Sequence, residues 1–600
     1  MKKNDKKKKE RVPFKNAVKN NFYMIRIAYN SDKVMVIMRL VMGFFTGLNH
    51  GLSIFFISEI LNALDRGNEL SHIFMLVALM GLYTLVYELF FAWYYKLLNP
   101  THKLDFIRLI HKSFFVKAND IDLSCYDTPE FYNDFIYSMN NCDKSIVNTI
   151  DQLADLIRAF VASISVFAVV LNVDFVVALV IIGFAIIDMI IRLIQNGIWY
   201  KYDLELNELW RKSWYIERFF SLADYAKEIR LTDIDKRLLV EYDETIKEQK
   251  RADIRVRIKH GSLNALSAIL SFSLLSFILI YMAYHLMITK TVLIGGFTVS
   301  ITAAQRLKWL LYDIQNKFVQ MSKNSLYAEK IKKFLESEPK IISGTRELEE
   351  FKSLEFKNVY FAYKDEEYVL ENVSFKVDSS ERIAFVGYNG AGKTTTTKLI
   401  MRLYDVTSGE ILINGINIKE YSLESLRSKM GAVFQDYKVF AATVAENVLG
   451  DIYTPDKEGV VLSALEDSTF GEKLSSLDKG IFTELTREFY DDGTNLSGGE
   501  NQKIAIARVF AHNNELIIMD EPSSALDPIA EYNLNLGIDK NARDKTVVFI
   551  THRLSTTRHV NRIYMFEKGK IIETGSHDEL IAQNGKYAHM FNLQAKKYKA

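Results

Sequence analysis

The segment Gly387-Tyr-Asn-Gly-Ala-Gly-Lys-Thr394 has the complete G-x-x-x-x-G-K-[ST] pattern of a phosphate-binding loop. An apolar run at 383–386 precedes it and predicts a buried strand, and residues 394–403 predict a helix. Glycines let backbone N–H groups approach phosphate oxygens, and a helix N-terminus attracts negative charge. The loop therefore predicts a nucleotide site, in which Lys393 reaches the β- and γ-phosphates and Thr394 holds Mg²⁺. The residues of this segment and just after it that we expect at the nucleotide are Gly387, Asn389, Gly390, Gly392, Lys393, Thr394 and Thr395.

Further motifs follow the loop in a fixed order. They are Leu496-Ser-Gly-Gly-Glu500, the apolar run and acidic pair Leu516-Ile-Ile-Met-Asp-Glu521, the tetrad Ser524-Ala-Leu-Asp527, and the strand-like run Thr546–Ile550 with His552 after it. Gln435 lies between the loop and these motifs, and Tyr363 precedes the loop. In this order and spacing, the C-terminal part of the chain resembles the ATP-binding cassette (ABC) superfamily.

The resemblance implies a role for each motif. The catalytic residues it implies are Glu521, which polarises the attacking water, His552, which contacts the γ-phosphate, and Lys393. It implies that Mg²⁺ is held by Thr394, Gln435 and Asp520. Phosphoryl transfer to water depends on positioning and charge stabilisation, which explains why these residue types recur. The remaining contacts to ATP that it implies come from Tyr363, which stacks on adenine, Gln435, Ser497, Gly498, Gly499 and Asp527.

The same resemblance implies a dimer. In ABC proteins, ATP is bound between the phosphate loop of one cassette and the serine–glycine signature of another, and this sequence has one of each. The expected partner is therefore a second half-transporter. Twofold symmetry favours a homodimer, because Glu521, His552 and the signature are all intact, but a heterodimer stays open.

The first 325 residues predict a membrane domain. The 600-residue chain is 49% hydrophobic with a formal net charge of +1, which argues against a nucleic-acid partner, since such a protein would show a basic domain or stripe. A span needs about 20 apolar residues. Six stretches meet this need, at 34–61, 73–94, 157–173, 175–198, 266–288 and 292–311.

Lys and Arg are concentrated before the first stretch and in the long segments 96–153 and 201–262. The positive-inside rule therefore predicts a multi-pass protein of the cell membrane with its N-terminus and ATPase domain in the cytoplasm. The fold class we expect is multi-domain: an all-α six-helix transmembrane domain followed by an α/β phosphate-loop ATPase cassette. Its expected parts are an N-terminus with an elbow helix on the membrane lipids (1–30), a transmembrane domain (31–325), a linker (326–350) and a cassette (351–600).

Six spans followed by a cassette resemble the half-transporters of the ABC exporter fold. In that fold, short coupling helices contact the cassettes, and the segments at 122–133 and 226–231 match the two regions expected. Cys125 and Cys142 both fall on the predicted cytoplasmic side, so we expect no disulfide. Three departures from the family are Glu500 in place of the commoner glutamine, Tyr388-Asn389 in the loop, and the segment 488–493.

Polar residues inside the spans have two interpretations. Gly43, Gly47 and Gly51 predict a close helix contact. Asn49 and His50 lie beside them, where hydrogen bonding to a neighbouring helix and exposure to a transport cavity both remain open. The same choice, ion pairs or cavity lining, applies to the charged residues Glu88, Arg158, Asp188, Arg192 and Arg306.

The function that this resemblance implies is ATP-driven export by alternating access. Amphipathic or hydrophobic small molecules, lipids and peptides all suit an aromatic-rich membrane domain. Two alternatives remain from the sequence: an importer with the exporter fold, for example for metal chelates, and an ATP-gated membrane channel or sensor.

Overall fold

The computed structural model describes residues 14–364, 367–523, 528–552 and 556–599. The chain forms two compact units. The first, residues 1–119 and 130–337, is helical; the second, residues 120–129 and 338–600, contains two β-sheets. The expected order of a helical domain and an α/β cassette is confirmed.

Long helices dominate the first 337 residues. Asp32 and Asp174 each begin a helix by accepting a hydrogen bond from a backbone N–H three residues later, at 2.9 Å. A π-helical turn at Tyr94–Leu98 joins the third and fourth helices. In chain order the helices are α1 (Phe14–Ser31), α2 (Lys33–Asp65), α3 (Leu70–Trp93), α4 (Asn99–Asn119), α5 (Leu123–Tyr126), α6 (Pro129–Val173), α7 (Phe175–Ser221), α8 (Ala226–Leu231), α9 (Ile234–Met287) and α10 (Ile294–Leu335).

Five helical stretches of the described chain are long and apolar enough to cross a membrane: Lys33–Asp65, Leu70–Asn119, Asp134–Val173, Phe175–Trp199 and Ile234–Met287. They contain five of the six predicted spans. The sixth prediction, 292–311, falls mainly on α10, which is long enough but less apolar because it contains Gln305, Arg306 and Lys308. That α10 crosses the membrane stays a prediction. The lysine run before residue 14 lies outside the described residues.

The glycine stripe on α2 is a helix contact, as expected. A Cβ atom at Gly43 would lie 2.4 Å from the Ala154 carbonyl oxygen, and one at Gly47 would lie 2.6 Å from that of Arg158. At Gly51 it would meet the Ser165 side chain at 2.4 Å. Any larger residue would therefore push α2 away from α6.

Most of the polar residues singled out in the spans have partners. Asn49 accepts a hydrogen bond from the Tyr83 hydroxyl at 2.6 Å. Arg158 contacts Asp313 at 2.5 Å, and Arg192 contacts Asp188 at 2.7 Å. These contacts favour the ion-pair interpretation for Arg158, Asp188 and Arg192. Glu88 and Arg306 are both exposed in the described unit.

The second unit contains an antiparallel four-stranded sheet in the order β2-β1-β4-β5 and a six-stranded sheet in the order β10-β9-β3-β8-β7-β6. In the second sheet all neighbours are parallel except β10 and β9. The strands are β1 (Ser353–Phe361), β2 (Leu370–Asp378), β3 (Arg382–Gly387), β4 (Ser408–Ile413), β5 (Ile416–Asn417), β6 (Met430–Val433), β7 (Leu516–Asp520), β8 (Thr546–Ile550), β9 (Arg562–Glu567) and β10 (Lys570–Gly575).

Residues of the last four helices of this unit share a buried core with strands of the six-stranded sheet. Strands β7 and β8 are buried at every position, which explains their continuous apolar sequence. The helices are α11 (Lys393–Ile400), α12 (Leu423–Ser428), α13 (Val444–Leu449), α14 (Glu458–Asp467), α15 (Gly471–Ser475), α16 (Gly498–Phe510), α17 (Pro528–Asn541), α18 (His577–Gln583) and α19 (Lys586–Lys599).

The short helix α5 belongs to this second unit although it comes early in the chain. The Asp122 carboxylate accepts hydrogen bonds from the backbone N–H groups of Lys340, at 2.5 Å, and Ile341, at 3.3 Å. Asp127 accepts one from the Tyr404 hydroxyl at 2.6 Å. The segment that resembles a coupling helix is thus hydrogen-bonded to other residues of the second unit.

Candidate nucleotide site

Four parallel strands bring the predicted site residues to one edge of the six-stranded sheet. Strand β3 ends at Gly387, β7 ends at Asp520, and β6 and β8 end shortly before Gln435 and His552. The carboxyl ends of parallel strands share one edge, which is where ligands bind in open α/β sheets. Residues that lie more than 100 positions apart in sequence therefore meet here.

The phosphate loop needs glycine at two of its positions. At Gly387 a Cβ atom would lie 2.2 Å from the carbonyl oxygen of Phe566 on the neighbouring strand β9. Gly392 has a left-handed φ of +102° and is the N-cap of α11. As N-cap it has no side chain that could accept a hydrogen bond from the helix. The backbone N–H groups at the start of α11 therefore stay available to an anion.

Lys393 is buried in this loop, with 8% of its surface exposed. Its ammonium donates to the carbonyl oxygens of Gly387 at 2.8 Å and Tyr388 at 3.0 Å. Burial lowers the pKa of Lys393, and the carboxylates of Glu521 and Asp520 partly offset that effect. The ammonium is held over the loop, next to two carboxylates, where a phosphate oxygen would compete for it.

Thr394 and Asp520 lie together, with the threonine hydroxyl donating to Asp520 Oδ2 at 3.0 Å. Burial raises the pKa of Asp520 to about 6, although the hydrogen bond from Thr394 opposes the shift. The buried carboxylate and the hydroxyl offer only hard oxygen ligands, which is the donor set that Mg²⁺ prefers. These residues therefore fit the metal ion predicted for them.

Both the side chain and the backbone of Glu521 are held by hydrogen bonds. Its carboxylate contacts His552 Nδ1 at 2.8 Å and accepts from Gln435 Nε2 at 3.4 Å. Its φ of +51° is left-handed, a costly conformation for a residue other than glycine. Its backbone N–H donates to Ile550 at 2.9 Å, and its carbonyl accepts from Gln502 at 3.1 Å. The backbone strain is thus maintained by bonds that aim this carboxylate between Gln435 and His552.

Tyr363 lies beside the start of α11. Its hydroxyl is 3.1 Å from Thr395 Oγ1, and its ring meets that of Tyr404 edge-on at 5.2 Å. The ring remains 39% exposed. An exposed aromatic face next to the phosphate loop suits the predicted stacking on adenine.

The signature begins α16 with a capping box. Ser497 accepts from the Glu500 N–H at 3.3 Å, and the Glu500 carboxylate accepts from the Ser497 N–H at 2.7 Å. Glu500 also pairs with Lys473 on α15 at 3.1 Å. Burial acts to raise the pKa of Glu500, but bonds from Ser497 and Lys473 outweigh it, and the net shift is downward. The unusual glutamate of the signature therefore stabilises the helix start.

The structure does not bring every predicted ligand together. Thr394 donates to Asp520, Gln435 and His552 both contact the neighbouring Glu521, and Lys393 donates to carbonyl oxygens of the phosphate loop. The hydrogen bonds described for Ser497 stay at the start of α16. Asp527 lies outside the described residues. The capping role of Glu500 was missed, although its S-x-x-E spacing is a known capping signal. The contact of Tyr404 with Tyr363 has no such signal in the sequence.

Both units of the chain, the helical one and the one with the β-sheets, are similar to known proteins. Residues 370–524 match the family described as ABC transporter. An ATP-dependent lipid A-core flippase of Pasteurella multocida is 32% identical over 349 residues, which are 58% of this chain and 59% of that protein. The subtilin transport ATP-binding protein SpaT of Bacillus subtilis is 29% identical over 474 residues, 78% of this chain and 76% of SpaT.

The first relatives are matched over less than two thirds of their length, 41% for one Bacillus subtilis protein and 59% for the flippase. Among solved structures, a bacterial Atm1-family ABC exporter with ATP bound has a TM-score of 0.72 at 22% identity. That match covers 94% of this chain and 98% of the other, so it includes the helical unit as well as the sheets.

Proposed function

We propose that this chain, whose residues 370–524 match the ABC transporter family and whose fold matches that of a solved exporter, is an ATPase that drives export across the cell membrane. The observation that carries the proposal is the Glu521 carboxylate held between Gln435 and His552, next to Asp520. A carboxylate in this position accepts a proton from water as it attacks a γ-phosphate. The proposal places the N-terminus and the ATPase unit in the cytoplasm.

In the mechanism that we propose, ATP enters along the carboxyl edge of the six-stranded sheet. The adenine ring stacks on Tyr363, and Lys393 transfers its hydrogen bonds from loop carbonyls to phosphate oxygens. Thr394, Asp520 and Gln435 would hold Mg²⁺, which supplies charge neutralisation at the phosphates. Glu521 takes the proton of the attacking water, and His552 holds this carboxylate through Nδ1 while its Nε2 faces the γ-phosphate.

We further propose that two copies of the chain work together. The start of α16 still offers backbone N–H groups at Gly498 and Gly499, and it would complete the site of the other copy. Closure around ATP would then be transmitted through α5, whose Asp122 and Asp127 are bonded within the ATPase unit, to the helices that flank it in sequence. The cargo class is proposed as amphipathic or hydrophobic small molecules, lipids or peptides, in line with relatives named for a lipid and for subtilin.

Replacement of Glu521 by Gln in nanodisc-embedded protein tests the proposal. We expect ATP turnover to fall by about 10²-fold or more, because the proton acceptor is lost, while an ATP-bound dimer accumulates. Glu515→Gln is the matched control, because Glu515 precedes strand β7 and lies at the opposite end of it, paired with Lys429 at 2.7 Å. Unchanged turnover in Glu521→Gln would refute the active-site assignment.

Transport direction needs a second measurement. In inside-out vesicles, an exporter accumulates a labelled lipid or peptide only with ATP, and Glu521→Gln abolishes the accumulation. ATP-dependent loss of cargo from the same vesicles would favour the importer instead. Ion conductance that persists in Glu521→Gln would favour a gated channel.

A further inference from the structure

We propose that His111, Cys142 and Asp143 form a binding site for a divalent transition-metal ion of the zinc type. His111 lies on α4, and the other two residues lie on α6. One ligand atom from each side chain lies within 4.8 Å of the other two. All three belong to the helical unit, apart from the nucleotide site and its chemistry.

One ring nitrogen in the cluster lacks a hydrogen-bond partner. Nε2 of His111 is buried and has no hydrogen-bond partner in the described chain. It lies 3.8 Å from Asp143 Oδ1, which is too far for a hydrogen bond. A buried polar atom without a partner is costly, and a metal ion bound to Nε2 would remove that cost.

Cys142 supplies a protected sulfur. Its side chain is free of any disulfide, and the residue is only 1% exposed. The thiol donates a weak hydrogen bond to the Met139 carbonyl oxygen at 3.7 Å. The sulfur is therefore available as a ligand in a place that excludes most water.

The chemistry of the three atoms selects the ion. Sulfur and imidazole nitrogen are ligands for Zn²⁺ and similar ions, whereas Mg²⁺ and Ca²⁺ prefer oxygen alone. A thiolate, a carboxylate and a neutral imidazole carry two negative charges, which balance a divalent cation. When the metal binds, the Cys142 thiol releases its proton to solvent, and no electron is transferred.

Distances require only local adjustment. Ligand atoms of a tetrahedral zinc site lie roughly 3.3–3.8 Å apart, given bond lengths of about 2.0–2.3 Å. The present separations of up to 4.8 Å would shrink by about 1 Å through side-chain rotation. Three protein ligands leave a fourth position for water. The bound ion would then join α4 to α6, the two helices that flank α5 in the sequence.

Cobalt is the probe that tests this site. Full-length protein without an affinity tag, reduced and freed of metal by a chelator, is titrated with Co²⁺ in detergent. We expect one Co²⁺ per chain, with a thiolate-to-cobalt charge-transfer band that Zn²⁺ removes. Cys142→Ser abolishes this band, and His111→Gln and Asp143→Asn each weaken Co²⁺ binding at least about tenfold.

Cys125→Ser is the matched control, since Cys125 is the other cysteine of the chain and lies on α5. It should keep the band and the affinity unchanged. Absence of the band in the unmodified protein, or its survival in Cys142→Ser, would overturn the proposal. Should Cys142→Ser fail to fold, the affinities of the His111 and Asp143 variants decide. No nucleotide is needed, so this outcome is independent of the proposed ATPase.

Discussion

Two helix N-termini of the ATPase unit are predicted to face phosphates. One has no side-chain cap, whereas the other has a complete capping box. At α11 the N-cap is Gly392, which offers no side-chain cap, and the charges of Lys393 and Asp520 nearby are buried. We call these residues the loop site. At α16, Ser497 and Glu500 form a capping box, and Glu500 pairs with Lys473. We call these residues the signature site.

The pKa shifts describe the same contrast. Burial lowers the pKa of Lys393 and raises that of Asp520 to about 6, so both groups are pushed toward their neutral forms. The pKa of Glu500 shifts downward, because its hydrogen bonds and Lys473 outweigh burial. The loop site therefore contains charges that folding disfavours, and a bound nucleotide would compensate that of Lys393 and Mg²⁺ that of Asp520, whereas the signature site is satisfied by its own residues.

The largest effect is expected from Lys393→Ala at the loop site. ATP turnover should fall by about 10²–10³-fold, because the ammonium that stabilises transferring phosphate is lost. The unfolding temperature without nucleotide should not decrease, since the variant removes a buried charge bound only to carbonyl oxygens. Turnover in nanodiscs and thermal unfolding in detergent measure the two effects.

Lys473→Ala is the control for that variant, because it removes a lysine from the signature site instead. We expect its turnover to change by less than about threefold, in line with the small worth of a partly exposed ion pair. An equal loss of ATP turnover in Lys393→Ala and Lys473→Ala would mean that the two sites do not differ in their need for a lysine.

The second effect is a pH dependence of stability due to Asp520. Its folded pKa of about 6 lies above the ordinary value of 3.8, so the folded state binds the proton more tightly. Its contribution to stability is therefore present at low pH and is lost as the pH rises from about 4 to about 6, by about 1.4 kcal/mol per pKa unit. Without Mg²⁺ and nucleotide, Asp520→Asn should be more stable than the parent protein at pH 7.

Unfolding temperatures at pH 4.5 and pH 7, measured with a chelator, check this prediction. The advantage of Asp520→Asn should shrink at the lower pH, where the parent carboxyl is protonated. Adding Mg²⁺ and ATP should stabilise the parent and not the variant. An advantage of the same size at both pH values would mean that the charge of Asp520 is not disfavoured by burial.

The third effect separates capping from ligand binding at the signature site. Ser576 begins α18 with the same capping box that Ser497 forms at α16, in its case with Glu579. Replacement of either serine by alanine should cost about 1 kcal/mol of stability. Only Ser497→Ala should also lower ATP turnover, by about tenfold or more, because its hydroxyl is predicted to meet the phosphate of a second copy. Equal ATP turnover in Ser497→Ala and the Ser576 variant would mean that Ser497 caps α16 and does not contact ATP.

The contrast between the sites also marks how much the sequence could predict. The apolar runs before Gly387 and Asp520 predicted two buried strands, and the structure has β3 and β7 there. The box of Ser497 and Glu500 is local and could have been predicted from its spacing. Lys473 lies on another helix, so its contact with Glu500 depends on tertiary packing that no local pattern reports.

In the membrane unit the sequence could predict the apolar spans, but it could not predict which residues pair between helices. Apolar stretches predicted the spans of α2, α3, α6, α7 and α9, and the glycine stripe of α2 predicted a close helix contact, which the structure shows to be with α6. The partner of Arg158, Asp313, lies 155 positions away on α10. Such ion pairs are set by the packing of whole helices. Binding of ATP by the cassette residues named from motifs stays a prediction that the variants above test.

The smallest effect is expected from Glu500→Gln, which converts the signature to the commoner residue. Glutamine also completes a capping box, so the helix start should persist. Loss of the pair with Lys473 and of a favourable charge at a helix N-terminus should cost at most about 1 kcal/mol of stability. The variant also removes one negative charge from a site predicted to attract a triphosphate.

The KM for ATP should therefore decrease a few-fold at low ionic strength and by less at 0.5 M salt, where exposed charges are screened within about 5 Å. Glu579→Gln in the matching box of α18 controls for the change in capping alone and should leave the KM unchanged. A KM that does not respond to Glu500→Gln, or responds equally at both salt concentrations, would mean that the α16 terminus does not face the nucleotide. The signature site would then be a capped helix start, and only the loop site would bind phosphate.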